Sequence, residues 1–429
     1  MGWVGIVRLG LVQAGLGAVV VLVTSTLNRV MQVELGLPAL VSGSLVALHY
    51  GVQALRPRLG YGADVGGRRT PWIVGGMAAL ALGSAIAAGS VGLIRVQPVL
   101  GVLVATAGFL LVGLGVGAAG TNLLTLLAAS VTPRLRGPAA TIVWIMMIGG
   151  IAITATLARG WLTPFSDAVL FQVVAMVGAS ALGVAVLAVW GIEGATAPAP
   201  AQVPAPAHGG FLPALRDVWA DPQARGFAVF VFVSMLAYSA QELVIEPYAG
   251  AVFGLTPGAS AGLTGQHHAG VLVGMAGVAV ASFALGGMHG ARYWTMGGCL
   301  GSAVAVAWVA WCGMAGASGM LMPAVIALGV ANGVFAVAAI GAMMGLAGQG
   351  AEPGREGTRM GLWGAAQALA FGAGGLFGTG MSDLARAVIG SPAPAYAVVF
   401  ATQSALFLVA AWLAADVFGA TRRPALGLA

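Results

Sequence analysis

GVQALRPRLGYGADVGGRRTPW, residues 51–72, carries four arginines and one aspartate in a chain of which only 7% is charged. Long apolar runs flank it on both sides. Charge packed this closely requires water, so the stretch reads as a loop between two segments that avoid water.

The whole composition supports that contrast. The 429 residues are 59% hydrophobic and the mean hydropathy is +0.97, against about 45–50% apolar and 25% charged in a soluble domain. In a hydrocarbon core about 30 Å thick, roughly 20 apolar residues must coil into a helix that satisfies its own backbone. This ruler predicts twelve transmembrane helices, at residues 8–33, 38–56, 71–94, 99–130, 138–159, 168–192, 225–250, 266–288, 293–315, 321–347, 359–380 and 394–417. The first apolar run follows Arg8 as a signal peptide would, yet it continues through Asn28 and Arg29 without a small-residue cleavage site, and it reads as a retained helix.

Charge sets the expected orientation. All 18 basic residues are arginine. With a cytoplasmic amino terminus, fourteen lie at or near the cytoplasmic face, Arg95, Arg159 and Arg386 fall opposite, and Arg29 lies inside the first helix. Both termini are therefore expected on the cytoplasmic side. The pI near 10 reports this topology and contact with anionic lipid, and gives no reason to invoke nucleic acid. Cys299 and Cys312 share one predicted helix, about 20 Å apart along its axis, and cannot pair with each other.

The run GATAPAPAQVPAPAHGG, residues 194–210, is a Pro/Ala-rich linker with six spans on either side. The expected domains are an N-terminal bundle over 1–193, a cytoplasmic linker over 194–222 and a C-terminal bundle over 223–429. Placing Arg8 over Arg225 shifts the numbering by 217 and puts Arg29 over Glu246. Charges inside a membrane are costly, and are usually paired or functional. Either Arg29 and Glu246 form a bridge or gate near the periplasmic rim, or Arg29 receives an anionic substrate while Glu242 and Glu246, one turn apart, carry protons.

Within the opening loop, Gly60, Asp64, Gly67, Arg68 and Arg69 resemble the signature loop of the major facilitator superfamily, in the place that fold requires. Val65 stands where such transporters carry an arginine, and GGMHGARYW, residues 286–294, keeps little of the pattern in the second half. Both departures put the alternating-access cycle in question. The fold implied is an all-α integral membrane protein with twelve transmembrane helices in two pseudo-symmetric six-helix bundles.

A narrower resemblance lies in RLGLVQAGLGAVVVLVTSTLNRVMQVELGLPA (8–39), LHYGVQALRPRLGYGADVGGRRTPW (48–72), SAQELVIEPYAG (239–250) and MGLWGAAQALAFGAGG (360–375). These resemble the PucC/LhaA family of phototrophic bacteria. The resemblance implies a light-harvesting complex assembly factor that binds or delivers bacteriochlorophyll, with antenna polypeptides or bacteriochlorophyll synthesis enzymes as partners, in the intracytoplasmic membrane. Its compact length leans towards members encoded among synthesis genes. Glu242 stands where many relatives carry aspartate, which retains the carboxylate.

A pigment magnesium needs an axial ligand such as a neutral imidazole. His49 is the histidine expected near the middle of its span, with Gln53 one turn later; His267 and His268 are expected to begin span eight. Ligation by His49 stands beside the alternative of a ring bonded to a neighbouring helix. Asn122, Asn332, Trp363 and Gln367 are candidates for a cavity or pigment-contact wall, and equally for interhelical hydrogen bonds. Glycines spaced as in GGMAALALGSAIAAG, residues 75–89, suit close helix packing. GVGAAG, residues 115–120, fits a dinucleotide fingerprint but lies inside an apolar span with no preceding strand, and is dismissed.

No phosphate loop or Ser/His/Asp arrangement is legible, and the chain is expected to have no metal site and no catalytic role of its own. Two further readings stay open: a proton-coupled secondary transporter of a small amphipathic solute, and a pigment-free scaffold for antenna or synthesis proteins.

Overall fold

The computed structural model describes residues 2–55, 68–131, 136–193, 216, 219–284, 291–348 and 356–420. Among these, twelve helices follow one another. They are α1 (Trp3–Val21, continued by wider π turns at Leu22–Leu27 and Val30–Glu34), α2 (Ala39–Val52), α3 (Thr70–Val96), α4 (Pro98–Ser130), α5 (Arg136–Trp161) and α6 (Asp167–Val189). Then come α7 (Pro222–Phe253), α8 (Pro257–Ala284), α9 (Ala291–Met314), α10 (Ser318–Gly348), α11 (Glu356–Ile389) and α12 (Pro392–Ala420).

Nine of them are long and apolar enough to cross a membrane on their described residues, the exceptions being α2, α8 and α11. Large apolar side chains such as Leu187 (71% exposed) and Trp412 (67%) point outward. Water would penalise such surfaces, and hydrocarbon does not.

Helix limits depart from expectation where residues are polar but face protein. α8 starts at Pro257, nine residues before the predicted 266, because its first turns are rich in glycine and hydroxyls that a hydropathy ruler reads as loop. Ser260, Thr264, His267 and His268 are nevertheless buried. The two histidines therefore sit inside α8 rather than at its start. His49 lies in the last α-helical turn of α2, and the chain stays helical beyond it through a 3-10 turn at Gln53–Leu55.

Short turns repeat between the halves. Gly36 and Gly254 adopt φ of 66° and 67°, the left-handed conformation that glycine enters without a Cβ clash. After each, a leucine N–H reaches back six residues, from Leu37 to the Met31 carbonyl at 3.0 Å and from Leu255 to the Ala249 carbonyl at 3.2 Å. Each pair closes its helix with the same motif.

Close packing relies on small residues, as expected without a hydrophobic drive between helices. A Cβ on Gly76 of α3 would lie 2.6 Å from the Ala119 nitrogen of α4, and one on Gly115 would lie 2.6 Å from the Gly76 carbonyl oxygen. Gly115 of the GVGAAG run thus serves a helix contact.

The chain resolves into two compact units, one comprising Met1–Gln202 with Glu242–His268 and the other Val203–Gln241 with Ala269–Ala429. The segment spanning the end of α7 and the start of α8 thus groups with the first six helices. Most of the linker expected over 194–222 lies outside the described residues, as do Gly60, Asp64 and Gly67 of the signature loop.

In the first unit, charged side chains close the helix ends. Arg8 donates to the Leu187 and Trp190 carbonyls at the end of α6. Arg95, ending α3, forks onto Asp167, starting α6, at 2.6 and 3.0 Å. Arg68 and Arg69 precede α3, and the Glu193 carboxylate accepts the backbone N–H groups of Arg69 (2.6 Å) and Thr70 (2.8 Å). It thereby caps two donors that the first turn leaves open. Burial alone would raise the Glu193 pKa, but these hydrogen bonds and the Arg69 charge outweigh it, leaving it below its ordinary value.

A carboxylate with a depressed folded-state pKa stabilises above its unfolded value and loses that contribution as pH falls through the folded value. Glu193→Ala is therefore expected to cost about 1 kcal/mol in local stability, seen as faster exchange of the Arg69 and Thr70 amides. The advantage of the native residue over Glu193→Gln is expected to fade below about pH 4.

Candidate functional site

Along the far end of α1, Ser25, Asn28, Arg29 and Gln32 recur at i, i+3, i+4 and i+7, and so share one face of an otherwise apolar helix. All four are buried, Asn28 and Arg29 with 1% of their surface exposed. Polar groups taken out of water cost several kcal/mol unless they find partners. Each finds one within the first unit.

The partner for Asn28 is created by a proline. Pro247 lies inside α7 and has no N–H, so the Leu243 carbonyl, four residues earlier, loses its intrahelical donor. Asn28 Nδ2 donates to that carbonyl oxygen at 2.9 Å. Asn28 Oδ1 accepts from Gln32 Nε2 at 2.9 Å, and Gln32 Nε2 also reaches Ser42 Oγ of α2 at 2.9 Å. Ser42 in turn donates to the Ala39 carbonyl. Hydrogen bonds thus link α2, α1 and the gap in α7, with the Gln32 amide of α1 donating in both directions.

Arg29 donates to Glu34 Oε1 at 2.7 Å and to the Leu255 carbonyl in the turn after α7. Its guanidinium lies so close to Gly250 that a Cβ there would stand 2.9 Å from one terminal nitrogen. Glu246 Oε1 accepts from Ser25 Oγ at 2.7 Å and from Thr264 Oγ1 of α8. The expected Arg29–Glu246 bridge is not formed. Contacts between α1 and α7 follow an offset of 221, with Ser25 on Glu246 and Arg29 on Gly250, one turn from the offset of 217 that placed Arg29 on Glu246. The nearer carboxylate for Arg29 is Glu34.

Two more groups come from α7 and α8. His268 Nδ1 lies 2.9 Å from the Thr264 carbonyl oxygen, and Nε2 lies 3.5 Å from Glu242 Oε1. Glu242 is the more accessible carboxylate, its side chain 27% exposed, whereas Glu246 is buried.

Other sequence candidates lie elsewhere. His49 is 1% exposed with its Nε2 3.1 Å from Gln53 Nε2, and its backbone abuts Gly113 of α4. Its Nε2 is thus engaged with Gln53 and its ring is enclosed by protein. In the second unit, Trp363 is 1% exposed, donates to the Ala224 carbonyl at 3.1 Å and packs edge-on against Phe227, so it belongs to an aromatic core rather than a cavity wall. Gln367 approaches the Met235 sulfur at 4.0 Å. Asn122 bonds back to the Ala118 carbonyl of its own helix, and Asn332 accepts from Ser302. Both cysteines are free and buried. An open cleft of about 490 Å³ lies between α5 and α8 in the first unit, lined by Arg159 and three threonines.

The sequence reading singled out Arg29, Glu242 and Glu246 and passed over Ser25, Asn28, Gln32, Glu34, Thr264 and His268 as a group. Their signal was present as a polar stripe of helical period in α1 and as the i, i+4 pair Thr264/His268 facing the i, i+4 pair Glu242/Glu246.

The sequence profile of the family described as PUCC protein matches residues 26–421. A Rhodobacter capsulatus protein named "Bacteriochlorophyll synthase 44.5 kDa chain" is 50% identical over 99% of this chain and 98% of its own length. Protein PucC of Cereibacter sphaeroides is 30% identical over 94% of this chain and 90% of its own. Among solved structures, the nucleoside transporter NupG superposes with a TM-score of 0.72 at 13% identity, covering 96% of this chain and 100% of that one. A D-xylose-proton symporter superposes at 0.71 and 15%, covering 95% and 96%. At such identities the likeness shows the fold alone, that of the major facilitator superfamily with its twelve helices.

Asn28→Ala is expected to strand the Leu243 carbonyl and lower the stability of the detergent-solubilised protein by about 1–3 kcal/mol. Adding Pro247→Ala gives that carbonyl an intrahelical donor again, so the double variant is expected to recover most of the loss. Thermal unfolding of both singles and the double variant measures the coupling; strictly additive losses would contradict the assigned bond.

Proposed function

The chain belongs to the PUCC protein family, and from that premise we propose that it is a non-enzymatic membrane protein of photosynthetic antenna assembly. In this reading it holds bacteriochlorophyll, or passes it between the synthesis machinery and light-harvesting polypeptides. The observation that carries the proposal is the 50% identity, over practically the full length of both chains, to a protein whose name ties it to bacteriochlorophyll. That name also contains the word synthase. Association with the synthesis machinery accommodates it, and the buried polar groups favour that over catalysis, because Ser25, Asn28, Gln32 and Arg29 already bond to neighbouring helices.

The pigment, when bound, supplies a magnesium centre and a flat apolar macrocycle. The enclosed His49 argues against imidazole ligation there, and apolar packing against lipid-facing helices is the mode that the outward Leu and Trp side chains support. The membrane proposed is the intracytoplasmic one, with both termini cytoplasmic, on the arginine asymmetry of the loops. Of the seven arginines from Arg56 to Arg136, all but Arg95 fall in or beside loops expected on that side.

Gentle purification from phototrophically grown cells tests the reading. The expected result is co-purified bacteriochlorophyll together with an antenna polypeptide or a synthesis enzyme, and unchanged pigment content in His49→Ala. Stable partner capture from cells unable to make pigment, with no pigment in the native preparation, would instead establish a scaffold. Solute counterflow in liposomes that Glu246→Gln abolishes would establish a transporter.

A further inference from the structure

We propose that the cleft between α5 and α8 seats the anionic head group of a membrane phospholipid, with Arg159 on its phosphate. In the first unit Arg29 is committed to Glu34 and Arg95 to Asp167. Arg159, in the last turn of α5, makes no ion pair or side-chain hydrogen bond among the described residues. A guanidinium stays charged and offers five donors, so its head requires oxygen acceptors, and a phosphate meets two of those donors in one plane. Around it the cleft of about 490 Å³ is lined by Thr156, Gly160, Thr163, Thr256 and Ala259, with no acidic side chain among the described residues. Thr156 Oγ1 has no partner among the described residues and is free to donate. Thr256 Oγ1 accepts the Ala259 N–H at 3.3 Å, as the N-cap of α8, which leaves its own hydrogen for the cleft. Thr163 donates to the Arg159 carbonyl at 2.8 Å and so offers only lone pairs. The positive end of the α8 dipole adds to the arginine charge.

The arginine is held in place by bare backbone. On α8, Gly258, Gly262 and Gly265 recur at i, i+4 and i+7 and let α5 approach closely. A Cβ on Gly258 would stand 2.6 Å from the Arg159 carbonyl oxygen, and one on Gly265 would stand 2.6 Å from the Thr156 nitrogen. A Cβ on Gly262 would stand 3.0 Å from Arg159 Cδ, so the arginine stem lies along this strip and its head turns to the cleft. What adjoins the cleft favours a lipid over a soluble anion. Ile153 and Leu157, one turn apart on α5, point outward with 62% and 47% of their surface exposed, and the exposed Trp161 ends the helix. Such side chains suit acyl chains and the interfacial zone of a bilayer. Helical phase puts Thr156 and Gly160 directly beside that apolar stripe. A head group on Arg159 therefore continues into chains along Leu157 and Ile153. With the amino terminus cytoplasmic, as proposed above, this lipid belongs to the periplasmic leaflet, opposite the arginine-rich loops. The site does not depend on what cargo the protein carries.

Native mass spectrometry of the full-length protein, delipidated in detergent and titrated with phosphatidylglycerol, chain-matched phosphatidylcholine or inorganic phosphate, tests the assignment. One phosphatidylglycerol is expected to bind about tenfold more tightly than phosphatidylcholine, whose ammonium neutralises its own phosphate. Arg159→Gln is expected to remove that preference, and Arg159→Lys, which keeps the charge but not the fork, to retain part of it. Arg95→Gln, taking away an arginine already paired with Asp167, is expected to leave the preference unchanged. No preference in the native protein, an undiminished one in Arg159→Gln, or an equal loss in Arg95→Gln overturns the proposal. Displacement of the bound lipid by millimolar inorganic phosphate overturns it too, in favour of a soluble anion. Should Arg159→Gln fail to fold, Thr156→Val removes one donor with little change of shape and is expected to weaken the preference several-fold. No weakening in that variant overturns the site.

Discussion

A proline in the middle of a membrane helix removes one backbone donor where no water can replace it, and the polar seam of the first unit is organised around that loss. Pro247 leaves the Leu243 carbonyl open, and Asn28 fills the gap from α1. Asn28 then needs its own oxygen satisfied, which Gln32 does, and Gln32 has a second amide hydrogen for Ser42. Once α1 is held against α7 at this register, Ser25 meets Glu246 and Arg29 meets Gly250. A Cβ at Gly250 would stand 2.9 Å from the guanidinium, so any larger residue there would require Arg29 to shift. Wide π turns on either side of Asn28 and Arg29 adjust the phase of α1 where these bonds are made.

This arrangement bears on function through what it occupies. The polar residues that a sequence reader would assign to substrate or protons are mostly engaged in joining helices. Such bonds contribute modestly in membranes, about 0.6–2 kcal/mol each, but here several act on one short stretch. The result is that α1, α2, α7 and α8 are tied together by side-chain bonds at one end of the first unit. Glu242 and His268 stand at the edge of this network, 3.5 Å apart, with the Glu242 side chain 27% exposed.

Much of the architecture was legible because hydrocarbon imposes a length on apolar runs, and twelve runs of that length became twelve helices. The start of α8 was not, since glycine, serine and threonine score as loop although they face protein. Arg29 and Glu246 stood out correctly as buried charges. Their pairing did not follow, because aligning the halves matches positions equivalent by duplication, whereas contact is decided by packing, and the two registers differ by one turn. Asn28 escaped notice because its role depends on a proline more than 200 residues away. His49 drew attention by its expected depth, and in the structure its ring is enclosed. The pigment connection came through family resemblance, and nothing in composition or spacing carried it.

The register of α1 against α7 decides the account. A high-resolution electron cryo-microscopy structure of the protein in lipid nanodiscs measures it directly. The account predicts Asn28 within hydrogen-bonding distance of the Leu243 carbonyl, Ser25 on Glu246 and Arg29 on Glu34. A direct Arg29–Glu246 ion pair, with the Leu243 carbonyl met by some other donor, would contradict it.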